Sequence, residues 1–163
     1  VVDSTLHIDT SDIRKKIYYK YGRPAVDILV AEMRTAFQDS GKIAQHEANV
    51  LITGGEESNL AKASTVTVRE SARDISAIVS WDGARSATGF PYAASVNTGR
   101  KAFGPITAKA LRFEIDGEVI YTKWVRAFPG IQFTKRGTAN ARPKIIARMT
   151  KMQHNVHRRL AAP

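Results

Sequence analysis

The sequence predicts an α+β fold: an antiparallel β-sheet with long N-terminal helices and a C-terminal helix packed on it. Three observations predict it. Apolar residues recur at helical spacing through most of residues 11–53, the period shortens to two between 64 and 122, and helical spacing returns after 141. Helices followed by consecutive strands, without strict alternation, give the order of a domain whose helices cover one side of an antiparallel sheet.

Residues 4–9, STLHID, alternate and suit a short strand, although Val1 to about Thr10 also has the look of a flexible end. Ser11 and Asp12 offer an N-cap to a helix with Ile13, Ile17 and Tyr21 at helical spacing, which Gly22 stops. Pro24 suits the first turn of the next helix, where a missing N–H costs nothing. Its apolar stripe is Val26, Leu29, Val30, Met33 and Phe37. Gly41 is expected to end or bend it, and helical character resumes up to Gly54-Gly55. STVTVRES (64–71) and DISAIVSWD (74–82) are rich in β-branched residues and alternate, so they read as two strands around Ala72-Arg73. A loop follows at 83–91, and YAASVNTG (92–99) suits either another strand or an irregular segment ending at Gly99.

Asp116-Gly117 between two alternating runs is the strongest short-range hairpin signal, because both positions accept positive φ. Leu111, Phe113 and Ile115 then share one face and Arg112 and Glu114 the other; the register stays open between a two-residue turn and a bulged three-residue turn. FPGIQFTKRGTAN (128–140) reads as a loop or extended arm. From 141 a helix carries Ile145, Met149, Met152, Val156 and Leu160 in one narrow stripe, expected to pack on the sheet with its cations turned outward. About Ala161 to Pro163 is expected to be loose. No repeat or linker divides the chain, so 1–163 is expected to be one domain.

Charge is distributed unevenly. The chain has 25 Lys+Arg against 15 Asp+Glu, and every acid lies at or before Glu118. Beyond it stand Lys123, Arg126, Lys135, Arg136, Arg142, Lys144, Arg148, Lys151, Arg158 and Arg159, which together equal the formal charge of +10. A neutral body followed by a basic C-terminal quarter points to an acidic partner, either nucleic acid, an anionic membrane or an acidic protein surface. No recognition helix or finger motif accompanies these cations, so contact with DNA is expected to be blind to sequence. Aromatic residues add to this picture. Tyr18, Tyr19 and Tyr21 crowd one short helix and cannot all face inward, while Trp124 and Phe128 stand among Lys123 and Arg126.

Signals for catalysis are poor. Cysteine is absent, which excludes disulfides, thiolate metal sites and a cysteine nucleophile. Neither Gly54-Gly55 nor Gly99-Arg100-Lys101 completes a phosphate-binding loop. His154 and His157, three apart on the last helix, lack a third ligand nearby and read as part of the basic face. Glu56-Glu57 read as solvated carboxylates, and no nucleophile elbow accompanies His7 or His46. The expectation is a protein that is not an enzyme and uses no cofactor and no metal. No apolar run approaches the roughly 20 residues that span a bilayer, and the opening residues lack the order of a secretion signal, so no membrane partner is expected.

From Tyr92 onward the order of features resembles the tail-completion or head–tail joining proteins of long-tailed double-stranded DNA phages. The residues that carry the resemblance are Tyr92, Ala93 and Gly99 as a strand ending in glycine, Lys109, Ala110, Leu111 and Phe113 as the next strand, Lys123 and Val125 near the end of the hairpin, and Pro129-Gly130 after it. The resemblance implies a non-enzymatic virion component of the neck, assembled in the host cytoplasm. It further implies a cyclic homo-oligomeric ring of about six subunits between adjacent connector or stopper proteins and the tail tube, with packaged double-stranded DNA passing through on non-specific contacts. On this view the ten cations face the DNA channel or a neighbouring ring, and Asp116, Gly117, Trp124, Phe128, Pro129 and Gly130 mark the hairpin and arm that reach an adjacent subunit. A different class also accommodates the basic helix: a small sequence-independent nucleic-acid-binding regulator.

Overall fold

The computed structural model describes residues 2–85, 89–115 and 117–161. Asp116 of the expected hairpin turn, and Ala162 and Pro163 of the expected loose end, therefore lie outside the described residues. The chain is α+β, with an antiparallel three-stranded sheet and the C-terminal helix packed on it.

The opening residues form strand β1 (Asp3–Asp9), which pairs along its whole length with β3 (Asp74–Ser80), so the strand reading holds here over that of a loose end. β2 (Thr65–Glu70) pairs with the other edge of β3, giving the order β1-β3-β2. Alternation is sharpest in the central strand, where Ile75, Ala77 and Val79 are buried. Register carries Leu6 and Val68 to either side of Ala77, and these two join the same apolar layer.

Helix α1 (Ser11–Tyr21) starts as expected, but its cap differs. Thr10, fully buried, is the capping residue, and the Asp9 carboxylate one position earlier accepts from the Ser11 N–H at 2.8 Å. That bond holds the Asp9 carboxyl below its usual 3.8. Of the expected stripe only Ile17 meets the core; Ile13, Tyr18, Tyr19 and Tyr21 are all exposed.

Helix α2 (Arg23–Asn49) runs straight through Gly41. The absent side chain there is what lets the helix lie on the sheet, since a Cβ would stand 2.4 Å from Val66 Cγ1. Leu29, Met33 and Phe37 are buried against β3 as the stripe predicts. Past α2, a 3₁₀ turn (Gly55–Glu57) and the short α3 (Asn59–Lys62) lead to β2. A buried polar chain fixes this corner: Trp81 Nε1 donates to Asn49 Oδ1 at 2.9 Å, and Asn49 Nδ2 donates to Ser64 Oγ at 3.2 Å. Each buried polar group in it is paired, as burial without a penalty of about 1–3 kcal/mol requires.

Two expectations are corrected. Residues 93–98, expected as strand or irregular, form helix α4 (Ala93–Thr98). An Ala-Ala-Ser start has low strand preference, and Gly99 at φ 88° closes the helix by donating its N–H to Ser95 O at 2.9 Å. The last helix, α5 (Phe133–Ala161), begins eight positions earlier than expected, inside the segment assigned to an arm. Phe133 is fully buried with its ring edge-on to Trp81, centroids 5.1 Å apart. One and two turns later come Gly137, whose Cβ would stand 2.5 Å from Ala48 Cα, and the buried Ala141. Gly137 and Pro143 cost this helix about 1 and 3 kcal/mol in propensity. Burial of Phe133, Met152 and Val156 on α2 and the sheet, at about 1.5–3 kcal/mol each, offsets that cost.

β4 (Leu111–Ile115) and β5 (Glu118–Thr122) form a two-stranded sheet of their own, apart from the main one. Ile115 pairs with Glu118, so two residues connect the strands and the unbulged register is the one formed. No helix among the described residues is long and apolar enough to cross a membrane.

Candidate functional site: an exposed hairpin arm and a basic helix

The described residues between Gly99 and Gly130 leave the body as an arm. Its root is a backbone pinch. Gly99 and Gly130 both have positive φ, 88° and 78°, and face each other so closely that a Cβ on Gly99 would stand 2.2 Å from Phe128 O, and one on Gly130 2.4 Å from Gly99 N. Only glycine satisfies both the left-handed backbone and the contact. Above the pinch the two chains pair at Arg100–Phe128 (N to O 2.7 and 2.9 Å) and at Phe103–Val125 (3.0 and 2.8 Å) before the β4–β5 ladder. Below it, Ile131 N donates to Val96 O, and Asn97 Oδ1 accepts from both Thr134 N and Thr134 Oγ1, which ties the root to α4 and caps α5. The root is thus held by two helices that are themselves anchored in the core by Ala93 and Phe133.

The outer part contributes no residue to either core cluster among the described residues. Val119, Ile120 and Tyr121 are consecutive and all exposed, so the ribbon shows apolar groups on both faces. Ile106 is 99% exposed and Trp124 64%, the latter lying over Gly104. An isolated two-stranded ribbon is marginally stable in water, and contiguous exposed apolar surface of this kind marks a contact site.

The ten cations divide. Lys123 and Arg126 lie on the arm and are exposed. Along α5, three of the others find carboxylates within the chain: Lys144 pairs with Glu47, Arg148 with Asp39 at 2.8 Å, and Arg159 with Glu32 at 2.8 Å. These rungs run antiparallel along α2 and α5 and help join the helices. For Lys144, Arg148 and Arg159 an acidic partner is therefore internal; Lys144 and Arg159 still face outward as expected, and Arg148 alone is turned in, a correction to that expectation. Arg136 Nη1 donates to the Ile131 carbonyl at 3.3 Å. Lys135, Arg142, Lys151 and Arg158 are exposed on α5 with no carboxylate partner among the described residues.

Two consequences are measurable. Lys144 donating to Glu47 holds the Glu47 carboxyl below its ordinary 4.5. A lowered folded value means the pair stabilises the fold above 4.5 and loses that contribution as pH falls through the lowered value. The Lys144→Met variant is expected to move the Glu47 titration upward by carbon-detected NMR, and its stability deficit should shrink in acid. Arg148 has only 16% of its side chain exposed, against 43% for Asp39. Asp39→Asn, which leaves a covered guanidinium without its charge partner, is expected to cost about 1–2 kcal/mol in urea melts, while Arg148→Met costs less than about 0.5. Equal costs would contradict this account.

Sequence reasoning placed the hairpin and its tip residues but missed Gly99, Arg100 and Phe103 as parts of the same arm. The pair of glycines flanking residues 100–129 was the available signal. No protein-family model, curated protein or solved structure matches the chain.

Proposed function

We propose that this chain is a structural, non-catalytic subunit of the neck of a long-tailed double-stranded DNA phage, assembled as a cyclic homo-oligomeric ring that joins head to tail and lets DNA pass. The observation that carries this is the arm: a fixed glycine root on a well-packed body, and an outer ribbon whose apolar groups stay uncovered in the single chain. A subunit built to complete its surface only on meeting a neighbour has this form. The neighbour in a ring is another copy, and a contact between two different surfaces of identical subunits closes into a ring when its rotation allows.

The expected strand from Tyr92 to Gly99 is helix α4, and the motifs from Lys109 to Gly130 are the ones that support the placement in a phage neck. The unpaired cations support the passage of DNA. Lys123, Arg126, Lys135, Arg142, Lys151 and Arg158 have no carboxylate partner among the described residues, and cyclic symmetry repeats each of them around an opening. Scattered Lys and Arg bind phosphate without reading bases, which suits DNA that must slide. Adjacent connector or stopper and tail-tube proteins would occupy the two ends of the ring.

Immunogold electron microscopy on phage particles whose lysate contains this chain tests the assignment. Label at the head–tail junction is the expected result. Particles that stay unlabelled both intact and partly disassembled, from a lysate that does contain the chain, overturn it.

A further inference from the structure

Beside the root of the arm lies a groove of about 640 Å³, walled by Tyr92, Val96, Phe103 and Phe128 with Arg100 on its rim. A neighbouring depression shares Arg100 and Phe128 and adds Lys101. The Arg100 guanidinium sits 5.8 Å from the centroid of the Phe103 ring, so the charge stands directly against the apolar wall. The groove is apolar within and positive at its edge.

The other end of the arm has the inverse character. After Asp82 the sequence contains three carboxylates, Glu114, Asp116 and Glu118, all within five residues. Glu118 is exposed, and the exposed Val119, Ile120 and Tyr121 follow it at once. An acidic end on an apolar shaft matches an apolar groove with a basic rim in both charge and chemistry. An extended strand from Glu118 to Phe128 reaches about 30 Å, which carries the acidic end away from its own groove toward that of an adjacent copy.

We propose that the hairpin end of one copy docks in the groove at the root of the next copy's arm, with Glu118 meeting Arg100 and Lys101, and Ile120, which shares the face of Glu118 on β5, covering Phe103 and Phe128. This rests on the ring assignment above and names the contact that builds the ring. Giver and receiver are different surfaces, so each copy contributes one of each and the chain of contacts propagates head to tail until it closes. The Ile120 face of the ribbon and the groove thereby cover each other.

Because the chain has no cysteine, the contact can be trapped without background. Arg100→Cys/Glu118→Cys, treated with a short bis-maleimide, is expected to give a ladder of linked oligomers on a denaturing gel. An equimolar mixture of the two single variants should stop at a linked dimer, and neither single variant alone should link. In sedimentation, Glu118→Arg is expected to weaken self-association more than about tenfold, and adding Arg100→Glu to the same chain should restore it. A double variant that links only within itself overturns the proposal, because the hairpin end then meets its own groove. Absence of linking while the unmodified chain sediments as an oligomer overturns the contact and leaves the ring standing. Absence of linking with a monomeric unmodified chain also overturns the contact, and the immunogold result decides the ring separately.

Discussion

Phe133→Ala is expected to cost about 3–5 kcal/mol, the range for emptying a fully buried aromatic site. In a chain of this size that corresponds to a fall in melting temperature of roughly 10–15 °C. Phe133 has no exposed surface and meets Trp81 edge-on at 5.1 Å, in the cluster that also holds Ala48, Leu60 and Ala93. It is the first residue of α5 and the side chain that fixes where the helix leaves the root of the arm. Truncating it leaves a void between α2, α5 and the Trp81 corner, with Gly137 and Ala141 too small to fill it. Phe133→Leu keeps most of the volume and should cost about half as much or less. Thermal and urea unfolding of the two variants check the ordering. A cost below about 1 kcal/mol for the alanine variant would mean that Phe133 sits in an arm after all.

That residue also shows where sequence and structure part. Phe133, Gly137 and Ala141 stand four apart and continue the Ile145–Leu160 stripe backward. An apolar count passes over them, because 128–140 holds two glycines and a proline and reads as a loop or extended arm. The information that overrides that reading is non-local: Gly137 is acceptable in the helix because Ala48, far away in the chain, leaves room for nothing larger. Ala93–Thr98 escapes for a related reason, since six residues are too few for periodicity and the closing Gly99 suits the end of a strand or of an irregular segment equally well. Signals that were local held. Pro24 opens α2, the alternation of β2 and β3 gives the sheet, and two strands flank Asp116-Gly117, with the register left open by the sequence settled by the Ile115–Glu118 pair. The charge asymmetry was legible as a count, but its meaning was not. Glu32, Asp39 and Glu47 are spaced seven and eight apart on α2, so they recur on one side of the helix, and only the folding of α5 along that side shows that they meet Arg159, Arg148 and Lys144.

Excising residues 100–128 and joining Gly99 to Pro129 through a short Gly-Ser link is expected to abolish self-association while leaving the body folded. The geometry of the root permits the cut, because Arg100 N and Phe128 O are 2.7 Å apart and the two ends already meet. The energetics favour it as well. Both apolar clusters are built from residues outside 100–128, so no core contact is removed. Each halving of a connection lowers its closure cost by about 0.6 kcal/mol, and roughly three halvings are gained. What is lost is the ribbon's own ladder, which contributes little in isolation. The melting temperature should therefore stay within a few degrees of the parent, or rise, while sedimentation shows a monomer at every concentration and the variant fails to enter particles. Collapse of the fold would mean that the arm belongs to the core rather than to an interface. An oligomer that survives the excision would move the interface off the arm, to the open edges of β1 and β2, the remaining unpaired strand edges of the main sheet.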